Sequence, residues 1–228
     1  MYVPADDVAT EAEWRRLLDD SPYATLVAPG AGPVPVVLPA QYCLAPSAAA
    51  HDRAALAVVE AHFHRANPVW DAFAVNSTAV LSVTGPMVVI PHDWNARPGV
   101  TDDQGVPTSW YVSASCTCRA RIVDDEAELA LLLERLSARY EPRGLDHPVT
   151  PGAAPYGPML RAIRGVHLEL LEVVAKAKFG GNRPTDRRER IAGKLVDRDG
   201  PGDAAAAAWL RRVLDRPTSG DDDGAGRG

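Results

Sequence analysis

Cysteine is scarce in this chain: three in 228 residues, an odd number and far too few for a disulfide framework. Long apolar runs are missing as well. No stretch approaches the roughly 18 residues of a membrane span, and residues 1–7 have neither the basic start nor the apolar middle of a secretion signal. A reducing, cytoplasmic setting is therefore expected. There is no excess of basic residues, the formal net charge being −6, which counts against a generic binder of phosphate backbones and makes nucleic acid an unfavoured partner. No GxGxxG follows a strand, and there is no P-loop, helix-turn-helix or internal repeat, so the commonest nucleotide, nicotinamide and DNA fingerprints are excluded.

What is present is ordinary globular composition, 46% hydrophobic and 24% charged, enough to bury one substantial core. Residues 1–216 are expected to form one domain, and the acidic, Gly-rich residues 217–228 a disordered tail. The spacing predicts a helix over 10–20, opened by a capping box of Thr10 and Glu13. Strands are expected over 23–28 and 34–38, joined through Pro29-Gly30-Ala31-Gly32-Pro33, and over 56–63. Two more, 79–83 and 87–90, are expected on either side of a turn at Thr84-Gly85-Pro86. Residues 95–106 read as a loop, 109–123 as a long strand, and 125–140 as a helix capped by Asp125 with Glu128 at its third position. After a proline-rich connection, 166–175 alternates Val166, Leu168 and Leu170 with His167 and Glu169, the pattern of a half-buried strand. Helices starting near Asp186 and Asp203 complete the chain. The order of elements fits a mainly β fold with flanking helices (α+β), a small closed or split barrel, rather than a doubly wound sheet.

Three clusters carry residues suited to chemistry. On a strand, His62 and His64 share a face, because side chains repeat every two residues. With Arg65 and Asn67 beside them they could ligate a metal centre and hold an anion; the plainer alternative is solvent exposure or a core hydrogen bond. Cys116 and Cys118 also share a strand face, but two thiols make a poor zinc site, and they read as small strand residues. Lys176, Lys178, Asn182 and Arg183 form a basic, amide-bearing segment suited to a phosphate or a propionate, or else a solvated strand end.

Taken in order, these segments resemble the PaiB family of FMN-binding negative transcriptional regulators. Its His-x-x-Arg-x-Asn-Pro-x-Trp segment is matched by His62, Arg65, Asn67, Pro68 and Trp70. Its opening is similar to Met1-Tyr2-Val3-Pro4, and its later segments are similar to Gly85-Pro86 with Trp94, to Val106-Pro107-Thr108 with Tyr111, and to the run from Lys176 to Arg183. The resemblance covers residues 1 to about 195. It implies an FMN-binding split β-barrel of the pyridoxamine-phosphate oxidase type, dimeric, with cofactor pockets at the dimer interface. The chain departs from the family pattern at Val37, where a histidine is usual, at Ser109-Trp110-Tyr111 in place of Trp-Asn-Tyr, and at Gly180-Gly181 in place of Ser-Gln.

The chain also resembles a divergent branch related to the PaiB family, the heme-dependent piperazate synthases. That branch implies heme b as cofactor, with FMN as the alternative, and N5-hydroxy-L-ornithine as the small amino-acid substrate of a homodimer with no membrane partner. It implies an axial histidine, His62 or His64. Arg65, Asn67, Lys178, Asn182 and Arg183 are then candidates for cofactor or substrate anions, and Tyr111 and His64 for the proton donor.

Overall fold

The structure is a computed structural model that describes residues 1–30, 32–46, 54–96 and 105–214. The expected tail at 217–228 and most of the expected 95–106 loop lie outside the described residues. Six strands form a closed barrel: β1 (Tyr23–Ala28), β2 (Val36–Leu44), β3 (Ala57–His64), β4 (Thr78–Ile90), β5 (Thr108–Val123) and β6 (Ile163–Lys178), in the order β1-β2-β3-β6-β5-β4. The pairings β1–β2, β1–β4, β2–β3 and β3–β6 are antiparallel. Helices α1 (Glu11–Asp20), α2 (Val69–Val75), α3 (His92–Asn95), α4 (Glu126–Tyr140), α5 (Thr185–Arg198) and α6 (Asp203–Arg212) flank it. None of the described helices is long and apolar enough to cross a membrane.

The barrel follows from strict alternation. Along β5, Trp110, Val112, Ala114, Cys116, Cys118 and Ala120 are all buried, and the residues between them are half-buried or exposed. Ala24, Leu26 and Ala28 of β1 and Ala79, Leu81 and Val83 of β4 continue the same inward, small-to-medium set, which suits the narrow interior of a small barrel. All three cysteines are free and buried.

The chain divides into two compact units: 1–17, 84–114 and 175–228 in one, 18–83 and 115–174 in the other. In the first, α1 opens with the expected capping box: the Thr10 N–H donates to Glu13 Oε2 at 2.7 Å, and the Glu13 N–H to Thr10 Oγ1 at 3.3 Å. The buried guanidinium of Arg188, on α5, donates to the Phe179 and Val213 carbonyls at 3.2 and 2.7 Å. An Arg198–Asp203 pair joins α5 to α6.

In the second unit, Asp125 caps α4 by accepting from the Ala127 and Glu128 N–H groups. There Gly165 of β6 sits where an added Cβ would come within 2.9 Å of Leu132 Cδ1 and 3.1 Å of both Leu129 Cδ1 and Val123 Cβ. The two leucine tips can swing aside, but Val123 Cβ is fixed to its strand. Gly165→Ala is therefore expected to destabilise the fold by about 1–3 kcal/mol through overpacking, seen as a lower urea midpoint at unchanged m-value.

Two expectations are corrected and one element is added. Residues 79–90 are one strand, not two: Gly85 lies within β4, and a Cβ there would meet Val112 Cγ1 at 2.7 Å and Leu17 Cδ1 at 2.8 Å. The glycine serves close packing rather than a turn. The segment after Asn67-Pro68, to which the sequence reading assigns no element, forms α2. Strand β6 is not half-buried around His167, since every residue from Gly165 to Leu170 is buried, including His167 and Glu169.

Candidate functional site

Most of the His62–Trp70 segment is occupied in building a strand-to-helix turn. The Asn67 N–H donates to the His64 carbonyl at 2.9 Å, and Asn67 Oδ1 accepts from the Val69 N–H at 3.0 Å, turning the chain into α2. Trp70 Nε1 donates to the same His64 carbonyl at 2.9 Å, while its ring packs against Phe63 at 5.9 Å and Phe73 at 6.2 Å. Arg65 reaches the Arg161 and Ile163 carbonyls, each at 3.2 Å, and Asp124 at 3.3 Å.

His62 is left over from this scheme. It pairs with Gly165 across the β3–β6 ladder and is partly buried, with its Nδ1 inaccessible and without a hydrogen-bond partner. Burial alone lowers its pKa below the ordinary histidine value, which favours the neutral imidazole. His64 shares its strand face but is exposed, and its Nδ1 accepts from the Ala66 N–H at 3.1 Å. In a neutral His64 ring the proton therefore sits on Nε2 and points away from the turn. The structure thus separates two histidines that sequence spacing leaves equivalent.

On the same face of β3, two residues before His62, stands a charged cluster that sequence reasoning missed. Glu60 is fully buried and is clamped by Arg135 through Nε and Nη2, each at 2.6 Å. His167 Nε2 lies 2.9 Å from Glu60 Oε1, and Arg121 Nη2 lies 2.6 Å from His167 Nδ1. Since arginine only donates, Nδ1 accepts and the His167 proton lies on Nε2, toward Glu60. Arg121 also pairs with Glu128. Burial raises the Glu60 carboxyl, but His167 and Arg135 more than offset this, leaving its pKa below the usual carboxylate value. The available signal was a single carboxylate inside the apolar 56–63 run.

In the other unit the basic segment builds a cavity of about 160 Å³, lined by Pro4, Asp6, Asp7, Thr108, Trp110, Lys178, Gly180, Asn182 and Arg183. Lys178 Nζ donates to Thr108 Oγ1 at 3.1 Å. Lys176, expected alongside Lys178, is buried behind the cavity, with its Nζ 3.6 Å from Asp7 Oδ2 and 3.4 Å from the Tyr2 carbonyl. Burial raises the Asp7 carboxyl despite the neighbouring Lys176 and Lys178. Tyr111 does not line the cavity; its half-buried ring lies 5.9 and 6.0 Å from the two ammonium groups. Gly180 has φ +68°, and a Cβ there would meet Trp110 Cζ2 at 2.8 Å; at Gly181 it would meet the Asp6 carbonyl oxygen at 2.1 Å. The two glycines and Trp110 are thus coupled departures from the family pattern, and together they let residues 4–7 close over the cavity.

Among the described residues, no three His, Cys, Asp or Glu side chains converge as a metal cage. A profile of the family described as "Putative FMN-binding domain" matches residues 1–172. No curated protein matches the sequence. Solved structures share the fold at low identity. A conserved hypothetical protein of Mycobacterium tuberculosis is 14% identical, with TM-score 0.56 over 81% of this chain and 94% of that one. An FAD- and heme-binding protein of Mycobacterium smegmatis is 18% identical, with TM-score 0.53 over 86% and 80%. The flavocytochrome Anf3 of Azotobacter vinelandii is 18% identical, with TM-score 0.50 over 78% and 75%.

Proposed function

Because this chain belongs to the FMN-binding domain family, we propose that it is a cofactor-dependent enzyme of that fold. We read the cofactor as heme b held by His62, and the enzyme as a homodimeric piperazate synthase. Its reaction would close N5-hydroxy-L-ornithine to L-piperazate with loss of water, in natural-product biosynthesis. The observation that carries this reading is the His62 imidazole, favoured neutral by burial and with Nδ1 lacking a protein partner. A neutral imidazole is the common protein ligand of heme iron. The heme-binding neighbours of the same fold support the cofactor by analogy only.

Of the nearby charged groups, Arg65 suits a propionate, since its pair with Asp124 is about half exposed on both sides and is cheaply exchanged. When bound, the iron supplies a Lewis acid for the hydroxylamine oxygen. The chain's own task is to fold the substrate so that its two nitrogens touch, where proximity contributes most. One N–N bond forms and one N–O bond breaks. The hydroxylamine nitrogen is reduced as the amine nitrogen is oxidised, so no external oxidant or reductant is consumed. The proton shed by the α-amine balances the one that leaves in water. His64 Nε2, on the strand face of His62, is the candidate proton donor in this unit; the Tyr111 hydroxyl, the other candidate, belongs to the other unit.

A second reading, an FMN-binding regulator without turnover, draws support from the family match and from Lys178, Asn182 and Arg183, whose side chains suit a phosphate. The visible spectrum of protein expressed with added hemin decides between them. A Soret band together with cyclisation of N5-hydroxyornithine is expected; a flavin spectrum with no heme uptake would return the chain to the regulators.

A further inference from the structure

We infer that the cavity bounded by Asp6, Asp7, Lys178, Asn182 and Arg183 is a receptor for the zwitterionic head group of an α-amino acid. It is not a phosphate cradle. The inference rests on the synthase reading for the identity of the substrate, but its binding test does not need the reaction. Its lining carries both signs: two carboxylates share it with two cations and an amide. A phosphate would meet Lys178 and Arg183 but would also face the like charge of Asp6 and Asp7, with no cationic group of its own to offer them. An α-amino acid presents both signs on adjacent atoms. Its carboxylate suits Lys178, Asn182 and the guanidinium of Arg183, which can hold it in bidentate fashion. Its ammonium suits the aspartates, one of which would have to take up its proton before that nitrogen could attack.

Size agrees with charge. At about 160 Å³ the cavity is well below the ~300–1,000 Å³ of pockets that enclose whole drug-sized ligands, which is room for a head group. The acidic wall is also a built feature. Gly181 lets the Asp6 backbone approach to a distance that any Cβ would forbid, and Gly180, in the left-handed region, makes room for Trp110. These glycines draw the N-terminal residues, with their two carboxylates, over the basic end of β6. Asp7 is fixed further by Lys176 from behind, so the cavity keeps its acidic side without using up Lys178.

The test is calorimetric titration of the full chain, with and without bound heme, using L-ornithine, 5-aminovalerate (no α-ammonium), putrescine (no carboxylate) and inorganic phosphate. L-Ornithine is expected to bind at least tenfold more tightly than either truncated analogue, with phosphate failing to compete. Asp6→Asn and Arg183→Gln should each weaken L-ornithine at least tenfold. Because both residues make other contacts, Lys178→Met provides a third variant, and thermal melts confirm that each is folded. Equal binding of the analogues, competition by phosphate, no binding of L-ornithine, or folded variants that bind it unchanged would each overturn the inference. Amino-acid discrimination without heme uptake would instead sink the synthase reading and leave the pocket standing.

Discussion

Glu60→Ala is expected to destabilise the folded chain by about 1–3 kcal/mol, the cost of leaving a buried polar group without its partner. Glu60 has no exposed surface, and the bidentate clamp of Arg135 and the contact with His167 are what make its carboxylate tolerable. Without it, the Arg135 guanidinium, about a third exposed, turns partly to water, but His167, 3% exposed, cannot. The sign with pH is fixed by the direction of the shift. Glu60 has a folded pKa below its unfolded value of 4.5, so its contribution is fully present above that value and is lost as pH falls through the lower folded pKa. Urea midpoints across this acid range should fall more steeply for the native chain than for Glu60→Ala. A loss below 1 kcal/mol at pH 7 would show that water reaches the cluster.

His62→Ala should act chiefly on the cofactor and only modestly on the fold. The side chain has no Nδ1 partner to strand, and its removal empties only a partly buried site, costing about 1–2 kcal/mol. The Soret band of hemin-loaded protein, by contrast, should shift or disappear, and added imidazole should restore it. Restoration separates lost ligation from a merely structural defect. Burial lowers the His62 pKa below 6.5, so on acidification the unfolded imidazole takes its proton before the folded one does. Stability from this group is present above 6.5 and is lost as pH falls through the folded value. Iron ligation should accordingly persist at pH values where an ordinary histidine is already charged. An unchanged spectrum in His62→Ala would move the ligand elsewhere, with His64 next in line.

How much of this is legible in the sequence depends on the range of the forces involved. The Thr10–Glu13 box and the Asp125 cap involve residues three apart, and spacing alone reveals both. Strand β1 has the expected bounds because its alternation is complete and turn residues flank it. Gly85-Pro86 misleads because the same dipeptide that favours turns also permits close approach, and only the positions of Val112 and Leu17 reveal which applies. His167 and Glu169 read as a solvent face because alternation does not show what covers that face; Glu60, Arg121 and Arg135 come from elsewhere in the chain. At the site, the motif locates the right segment. It takes distances to show that Asn67 and Trp70 build the turn, that Arg65 ties the turn to the segment leading into β6, and that His62 retains an unsatisfied ring nitrogen.

The pairing of β3 with β6 joins Ala57 to Leu170 and His64 to Ile163, partners about a hundred residues apart. On a ribosome adding ~5–20 residues per second, β3 emerges and then waits roughly 5–20 s before its partner is synthesised. For that interval the strand, rich in valine and alanine, offers the nascent chain an open edge of the kind that recruits other chains. Glu60 lies in the middle of that edge, so the carboxylate that the finished protein encloses would, during synthesis, be the one charge guarding it against misassociation.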